Sequence, residues 1–445
     1  MKFENLERKL FFSYDRNYSA DILITQPDKY REIENLAKLQ QNLISVGSNL
    51  SYSPLSFDKN SLSVVLKKFN RIIDFDLMNK KITVEAGMSL AELLNFTLKH
   101  NLWIPQLPGY PEITLGGAVA TNAHGKSCAV NGTIRNSIKS ILLFHKNNGW
   151  LNLSDYENKE IFDLTVGGLG LTGSIINITF NLTEIKSKTF ITKKTKVSSL
   201  KESIKMIIEK SKKKDTFIYS WNMADTNNFG KGIIFENIFN ESENEKEKND
   251  QVDIKNKKKY LIQPFSIWNK YSIKLINKLF YNLNTNTIKN TQESFLKVIF
   301  PFYGKESYFL FFGKKGFLES QLLLPKNKTD EFLNEFEHLF KLYNPQITLL
   351  SLKNLRGEQT LLRFEDNKIS LTIDYVNNQN TRKFMKEIDS LCEKYEILPS
   401  IIKDSRLDKK TFEKCYKNLQ KFKQKLNLFD KKRVYKSQTS NRLEI

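Results

Sequence analysis

Residues 107–132, LPGYPEITLGGAVATNAHGKSCAVNG, set Thr114, Thr121, Asn122 and His124 among five glycines, Gly109, Gly116, Gly117, Gly125 and Gly132. Glycine lets a backbone approach a ligand closely and present bare N–H groups to phosphate oxygens, so the chemistry this stretch offers is the holding of a phosphorylated cofactor. Neither GxGxxG nor GxxxxGK[ST] occurs, and the two commonest nucleotide folds lose their main support. A second cluster, Val166-Gly-Gly-Leu-Gly-Leu-Thr-Gly173, leads into the alternating run Ser174-Ile-Ile-Asn-Ile-Thr-Phe180. A third loop, Ser45-Val-Gly-Ser-Asn-Leu-Ser-Tyr52-Ser-Pro54, lies between a helix-like stretch and the strand Leu62–Leu66. Each alone could be an ordinary turn. Three in order point to a cradle.

The elements that must position these loops are partly visible. Residues 82–94, ITVEAGMSLAELL, read as strand, turn and helix, with Ser89 and Glu92 spaced as a capping box. Strands continue at Ile138–Phe144 and Ile175–Phe180, and from about Thr189 amphipathic segments such as Leu200–Glu209 take over, which places a boundary near 187. The stretch 241–259 has almost no apolar residue to bury and is expected to be a mobile loop. No internal repeat is found.

A chain of 445 residues is too long for one small core, so two domains are expected. Apolar residues at 40% and aromatics at 12% fit a folded protein, and 32 Phe against 4 Trp read as core packing. The formal charge of +21 invites a polyanionic partner. The lysines are spread over the whole chain and no nucleic-acid motif accompanies them, so specific nucleic-acid binding is not expected, whereas attraction to anionic lipid is. Cys128, Cys392 and Cys415 have no metal-ligand spacing, which argues against a disulfide framework or zinc site and for a reducing compartment. The N-terminal residues carry charges throughout and lack an apolar signal core, and no run approaches the ~18 apolar residues of a spanning helix. The expected location is cytoplasmic, with peripheral association at the inner membrane face.

The order of loop 45–54, ITVEAGMSLAELL at 82–94, LPG at 107–109, TLGGA at 114–118, HGK at 124–126 and VGGLGLTG at 166–173 resembles the vanillyl-alcohol-oxidase, or PCMH-type, FAD-binding domain. Within that superfamily the chain resembles, nearly end to end, the branch of flavin subunits that oxidise a polyprenyl-phosphate-linked ribose as the first half of a 2'-epimerisation. HGK and Lys403-Asp-Ser-Arg406, far apart in sequence, carry that finer resemblance.

The resemblance implies an α+β fold of two domains: an FAD-binding domain over 1–187, a substrate or cap domain over 188–397 built on an antiparallel sheet with helices, and a segment, 398–445, returning to the first. It implies cofactor contacts from Ser45, Val46, Gly47, Ser48, Asn49, Leu50, Ser51, Tyr52 and Ser53. It adds Gly109, Thr114, Leu115, Gly116, Gly117, Thr121, Asn122, Ala123, His124 and Gly125, then Gly173, Ile175, Ser400 and Lys403. Where the superfamily often attaches flavin through a His, this chain reads Asn49-Leu50-Ser51-Tyr52, so noncovalent FAD is expected. Alcohol oxidation needs a hydride acceptor, a group to take the hydroxyl proton, and a fixed cation to stabilise the anionic reduced flavin. Lys403 matches the branch's lysine in that last role, and His124 and Tyr52 join it as catalytic candidates. Lys126, Tyr303, Gln321, Lys353 and Thr372 match its substrate contacts, the lysines suiting a phosphate-linked sugar. Departures are Ser53-Pro54 in the first loop, Gly304 after Tyr303, Thr372 in place of a cysteine, and Glu319 in place of a glutamine.

The expected function is oxidation of a secondary sugar hydroxyl, C2' of a polyprenyl-phosphate-linked ribose, to the ketone, in partnership with an NAD(P)H-dependent short-chain reductase. An aldonolactone or alditol oxidase using the same domain is the first alternative. A noncatalytic basic binding protein retaining the fold is the second.

Overall fold

The computed structural model describes residues 6–213, 215–241, 263–285 and 290–445. Beyond Glu241, the charged stretch expected to be a mobile loop lies outside the described residues. Three sheets organise the chain. The first, in spatial order Glu7–Phe12, Ser19–Thr25, Ser61–Val65 and Asn42–Val46, pairs its last three strands in parallel. The second is antiparallel, in the order Ile72–Asp76, Lys81–Glu85, Ser174–Asn181, Ile138–His145 and Gly149–Ser154. Loop 45–54 therefore emerges from the first sheet, and the second glycine cluster ends directly on a central strand of the second. The helix after the strand at 81–85 spans Leu90–Thr97, and its capping box is formed: Ser89 Oγ accepts from Glu92 N–H while Glu92 accepts from Ser89 N–H at 2.7 Å.

The third sheet has eight antiparallel strands, in the order Thr291–Ser294, Thr189–Val197, Gly232–Phe239, Thr216–Asn222, Ile347–Asn354, Ile369–Val376, Phe317–Leu324 and Leu398–Pro399. Its two faces differ because side chains alternate along a strand. Ile218, Ile234, Leu318, Leu322, Leu350, Leu352, Leu371 and Ile373 face the amphipathic helices Leu200–Lys210, Thr329–Tyr343 and Gln379–Tyr395 and form one core with them. The intervening positions, Lys194, Tyr219, Asn237, Glu319, Gln321, Ser351, Lys353, Thr372 and Asp374, face a cavity. That polar face roofs the glycine-rich loops.

After its short strand at 398–399 the chain crosses back. Helices Lys409–Cys415, Leu419–Phe429 and Gln438–Leu443 pack with Leu164, Leu169 and Leu171 of the glycine-rich half. Leu43 N–H donates to Val434 C=O at 2.8 Å, Lys436 N–H to Leu43 C=O at 3.0 Å, and buried His145 lies 3.5 Å from Asp430. Among the described residues no helix is long and apolar enough to cross a membrane.

Candidate active site

One continuous cavity of about 690 Å³ runs between the glycine loops and the polar face of the eight-stranded sheet. Loop 45–54 forms one wall. Ser48 Oγ donates to Glu112 C=O at 2.6 Å, Asn49 Nδ2 donates to Phe12 C=O at 2.9 Å, and Ser56 Oγ donates to Asn49 Oδ1 at 2.7 Å, so side chains pin the loop. Its backbone is left over: among the described residues no acceptor is found for the N–H groups of Gly47, Ser48, Asn49 and Leu50. Asn49 has φ +52°, and consecutive amides around such a left-handed residue form a concave nest suited to anionic oxygens. Gly47 has to be glycine, since a Cβ there would stand 2.0 Å from Thr114 Oγ1 on the facing loop.

The opposite end holds the titratable groups. Lys403 Nζ lies 3.6 Å from the centroid of the Tyr52 ring and 3.5 Å from Glu319 Oε1. Glu319 and Asp374 are directly opposed residues of neighbouring strands, both buried, and Tyr308 OH donates to Asp374 Oδ2 at 2.9 Å. Burial, and next the charge of Glu319, raise the Asp374 carboxyl well above its ordinary value. Burial also raises the Tyr52 phenol, with Glu319 and Asp374 adding to it, which keeps Tyr52 neutral. Asp404, Ser405 and Arg406 anchor Lys403 from behind. Arg406 makes a bidentate pair with Asp389 at 2.6 and 2.7 Å and reaches Asp404 at 2.9 Å, while Ser405 donates to Asp15.

His124 Nε2 is 3.4 Å from Gln321 Nε2, and its ring stacks on Phe364. Burial, then Lys353 and Lys403, lower its pKa well below the usual histidine value, so the imidazole is neutral. Lys126 sits over the Tyr219 ring at 3.9 Å, with a buried ammonium that has no hydrogen-bond acceptor among the described residues. Burial first, and then Lys353 and Lys305, push its pKa well down. Lys353 is lowered too, chiefly by burial. With Lys194, Lys297, Lys305 and Lys403 they give the cavity six lysines. Such a cavity favours an anionic occupant.

Of the residues expected from sequence, those from Ser45 to Tyr52, Gly109, Thr114, Gly116, Gly117, Thr121, Ala123, His124, Gly125, Gly173, Ile175, Ser400 and Lys403 line the cavity, as do Lys126, Gln321, Lys353 and Thr372. Four do not. Ser53 is buried behind the loop, donating to Ile401 C=O at 2.5 Å. Leu115 is core, and Asn122 donates to Glu365 at 3.1 Å away from the cavity. Tyr303 packs against an apolar core that includes Leu107, Ile299 and Phe300, while Phe302 and Lys305 on either side line the wall. Asp374 and Tyr308 escape sequence reasoning as site residues, and Glu319 stands out there only as a departure. A carboxylate inside each of the apolar runs 317–324 and 369–376 is the signal that could have found the pair, because a charge on a buried strand needs a partner.

A multi-lysine cavity, a nest of free amides and a buried histidine suit an FAD-dependent oxidoreductase, and the likeness to known proteins gives that class. Residues 22–154 match the family of the FAD binding domain. Over 431 residues, 91% of this chain and 90% of the relative, the sequence is 26% identical to decaprenylphosphoryl-beta-D-ribose oxidase of Mycolicibacterium smegmatis. It is 27% identical to L-gulonolactone oxidase of Bos taurus over 198 residues, 44% of each chain. With L-galactono-1,4-lactone dehydrogenase of Arabidopsis thaliana, 25% identity extends over 181 residues, 40% of this chain and 29% of the relative.

Proposed function

We propose that the protein oxidises a secondary hydroxyl of a sugar joined to a lipid phosphate, C2' of a polyprenyl-phosphate-linked ribose, to the ketone. The observation that carries this reading is the buried Lys126 amino group without an acceptor among the described residues, set with Lys353 and Lys305 in the cavity wall. Burial and two neighbouring lysines disfavour its charged form, an anion beside it favours that form, and a phosphate on the substrate would supply the anion. The end-to-end likeness to a ribose oxidase supports it as well, since the lactone-oxidising relatives match less than half of the chain.

FAD fits the site: the free amides of loop 45–50 suit its phosphates, and when bound it supplies the hydride acceptor. Leu50 stands in the cradle and His124 is the only His or Cys lining the cavity among the described residues, which supports noncovalent attachment. The chain's own residues do the rest. Lys403 places a fixed cation where negative charge grows during hydride transfer. The carboxylate of the Glu319–Asp374 pair takes the hydroxyl proton, Tyr308 orients it, and neutral His124 with Gln321 positions the sugar. Tyr52, with a raised pKa, acts as the platform under Lys403 and not as a base. We assign residues 1–187 and 398–445 to the cofactor half and 188–397 to the substrate half. Epimerisation would follow if an NAD(P)H-dependent reductase returned hydride to the other face of the ketone. Flavin bleaching under anaerobic conditions, compared between lipid-linked ribose and free aldonolactones, tests the proposal.

A further inference from the structure

Helix Lys270–Thr285 lies against the strands Thr189–Val197 and Gly232–Phe239 at one end of the cavity. Its inner side is well seated: Ile273 and Asn277 are buried, and Phe280 packs on Trp221 with ring centroids 4.5 Å apart. Its outer side is not covered by any described residue. Leu275, Leu279 and Leu283, spaced i, i+4 and i+8, are 58%, 52% and 75% exposed, and Tyr271 one turn earlier is 74% exposed. A 16-residue helix that gives one apolar stripe to its own protein and leaves a second uncovered among the described residues suits another apolar phase.

Two further observations say which phase. Lys270, Lys274 and Lys278 form a basic edge along the same helix, on a chain of net charge +21, which complements an anionic surface. Ile276, Asn277, Phe280 and Asn284, between the outer stripe and the body, line the cavity. The helix is therefore continuous with the cavity wall on one side and bare on the other.

We propose that helix 270–285 is a docking element that lies in the plane of an anionic lipid bilayer, with Leu275, Leu279 and Leu283 in the acyl boundary and the lysine edge at the headgroups. The mouth formed by Ile276 and Phe280 then opens at the membrane surface, where a lipid-linked sugar can enter without its chain crossing water. This role of the mouth rests on the substrate reading above, whereas the docking itself does not.

Cosedimentation of the FAD-loaded full chain with phosphatidylglycerol–phosphatidylcholine vesicles, and with pure phosphatidylcholine vesicles, tests it. The expected result is salt-sensitive binding to the anionic vesicles. It should weaken on the order of tenfold or more in a Leu275→Gln/Leu279→Gln/Leu283→Gln variant, and by roughly fivefold per residue at low salt when Lys270, Lys274 and Lys278 are changed to Gln. Retained flavin absorbance shows that the variants are folded. Wild-type protein remaining in the supernatant would overturn the proposal, as would undiminished binding of the leucine variant. So would sedimentation-velocity data showing a dimer that the leucine variant disperses, since the stripe would then belong to a second copy. No sugar is present in this assay and no vesicle in the bleaching assay, so either reading can fail alone.

Discussion

At the level of single residues, Tyr52 and His124 are both held neutral by burial, while Lys403 stands over the Tyr52 ring and 3.5 Å from Glu319, which faces Asp374 across the strand pair. Lys403→Met should retain FAD, because the amides of loop 45–50 are untouched, and should slow flavin reduction by roughly 10²–10³. Stopped-flow reduction at saturating sugar measures this, and loss of FAD instead of rate would recast Lys403 as a cofactor anchor. Asp374 gives a pH signature. Its folded pKa is raised above the ordinary aspartate value of 3.8, so its contribution to stability is present below that value and is lost as pH rises toward the folded pKa. Asp374→Asn removes this loss, and its urea midpoint relative to wild type should move upward as the pH is raised above 3.8. A wild-type-minus-variant difference independent of pH would show that Asp374 titrates normally.

Among elements, the loops were legible in the sequence and the carboxyl pair was not. Glycine density announces close backbone approach, and that is what Gly47 against Thr114 turns out to be. Gly47→Ala should therefore push the two cofactor loops apart and lower the flavin-to-protein absorbance ratio of the purified protein. Gly47→Ala/Thr114→Ala, which removes the clashing hydroxyl but also a helix N-cap worth ~1 kcal/mol, should recover part of it. No recovery would mean that the clash lies elsewhere. By contrast, Glu319 and Asp374 meet only through the register of strands 317–324 and 369–376, and a one-residue slip of either strand would turn its carboxyl to the helical core. Register between distant strands cannot be read from composition or spacing. The motif at 403–406 was legible as a pattern, but its parts divide: Lys403 reaches the cavity, while Asp404, Ser405 and Arg406 are tied to Asp389 and Asp15 behind it.

For the whole molecule, the eight-stranded sheet explains how one chain serves two tasks. Its apolar face consolidates a helical core, its polar face closes the cavity over the cofactor loops, and the C-terminal helices tie the sheet's last strand back to the glycine-rich half. Acid precipitation of the yellow protein should leave FAD in the supernatant, and colour remaining in the pellet would contradict noncovalent attachment. On the proposed function, the basic cavity recognises a sugar through its attached phosphate. The most direct measurement is the loss of the flavin's visible absorbance under anaerobic conditions, scored with polyprenylphosphoryl ribose, with free ribose and with aldonolactones, because bleaching reports hydride transfer whatever the final electron acceptor. Rapid bleaching by the lipid-linked ribose, with free sugars and lactones slower by at least roughly tenfold at equal concentration, is the predicted result, one such factor corresponding to ~1.4 kcal/mol of lost contact with the lysines. Rapid bleaching by an aldonolactone, with none by the phosphate-linked ribose, would contradict it.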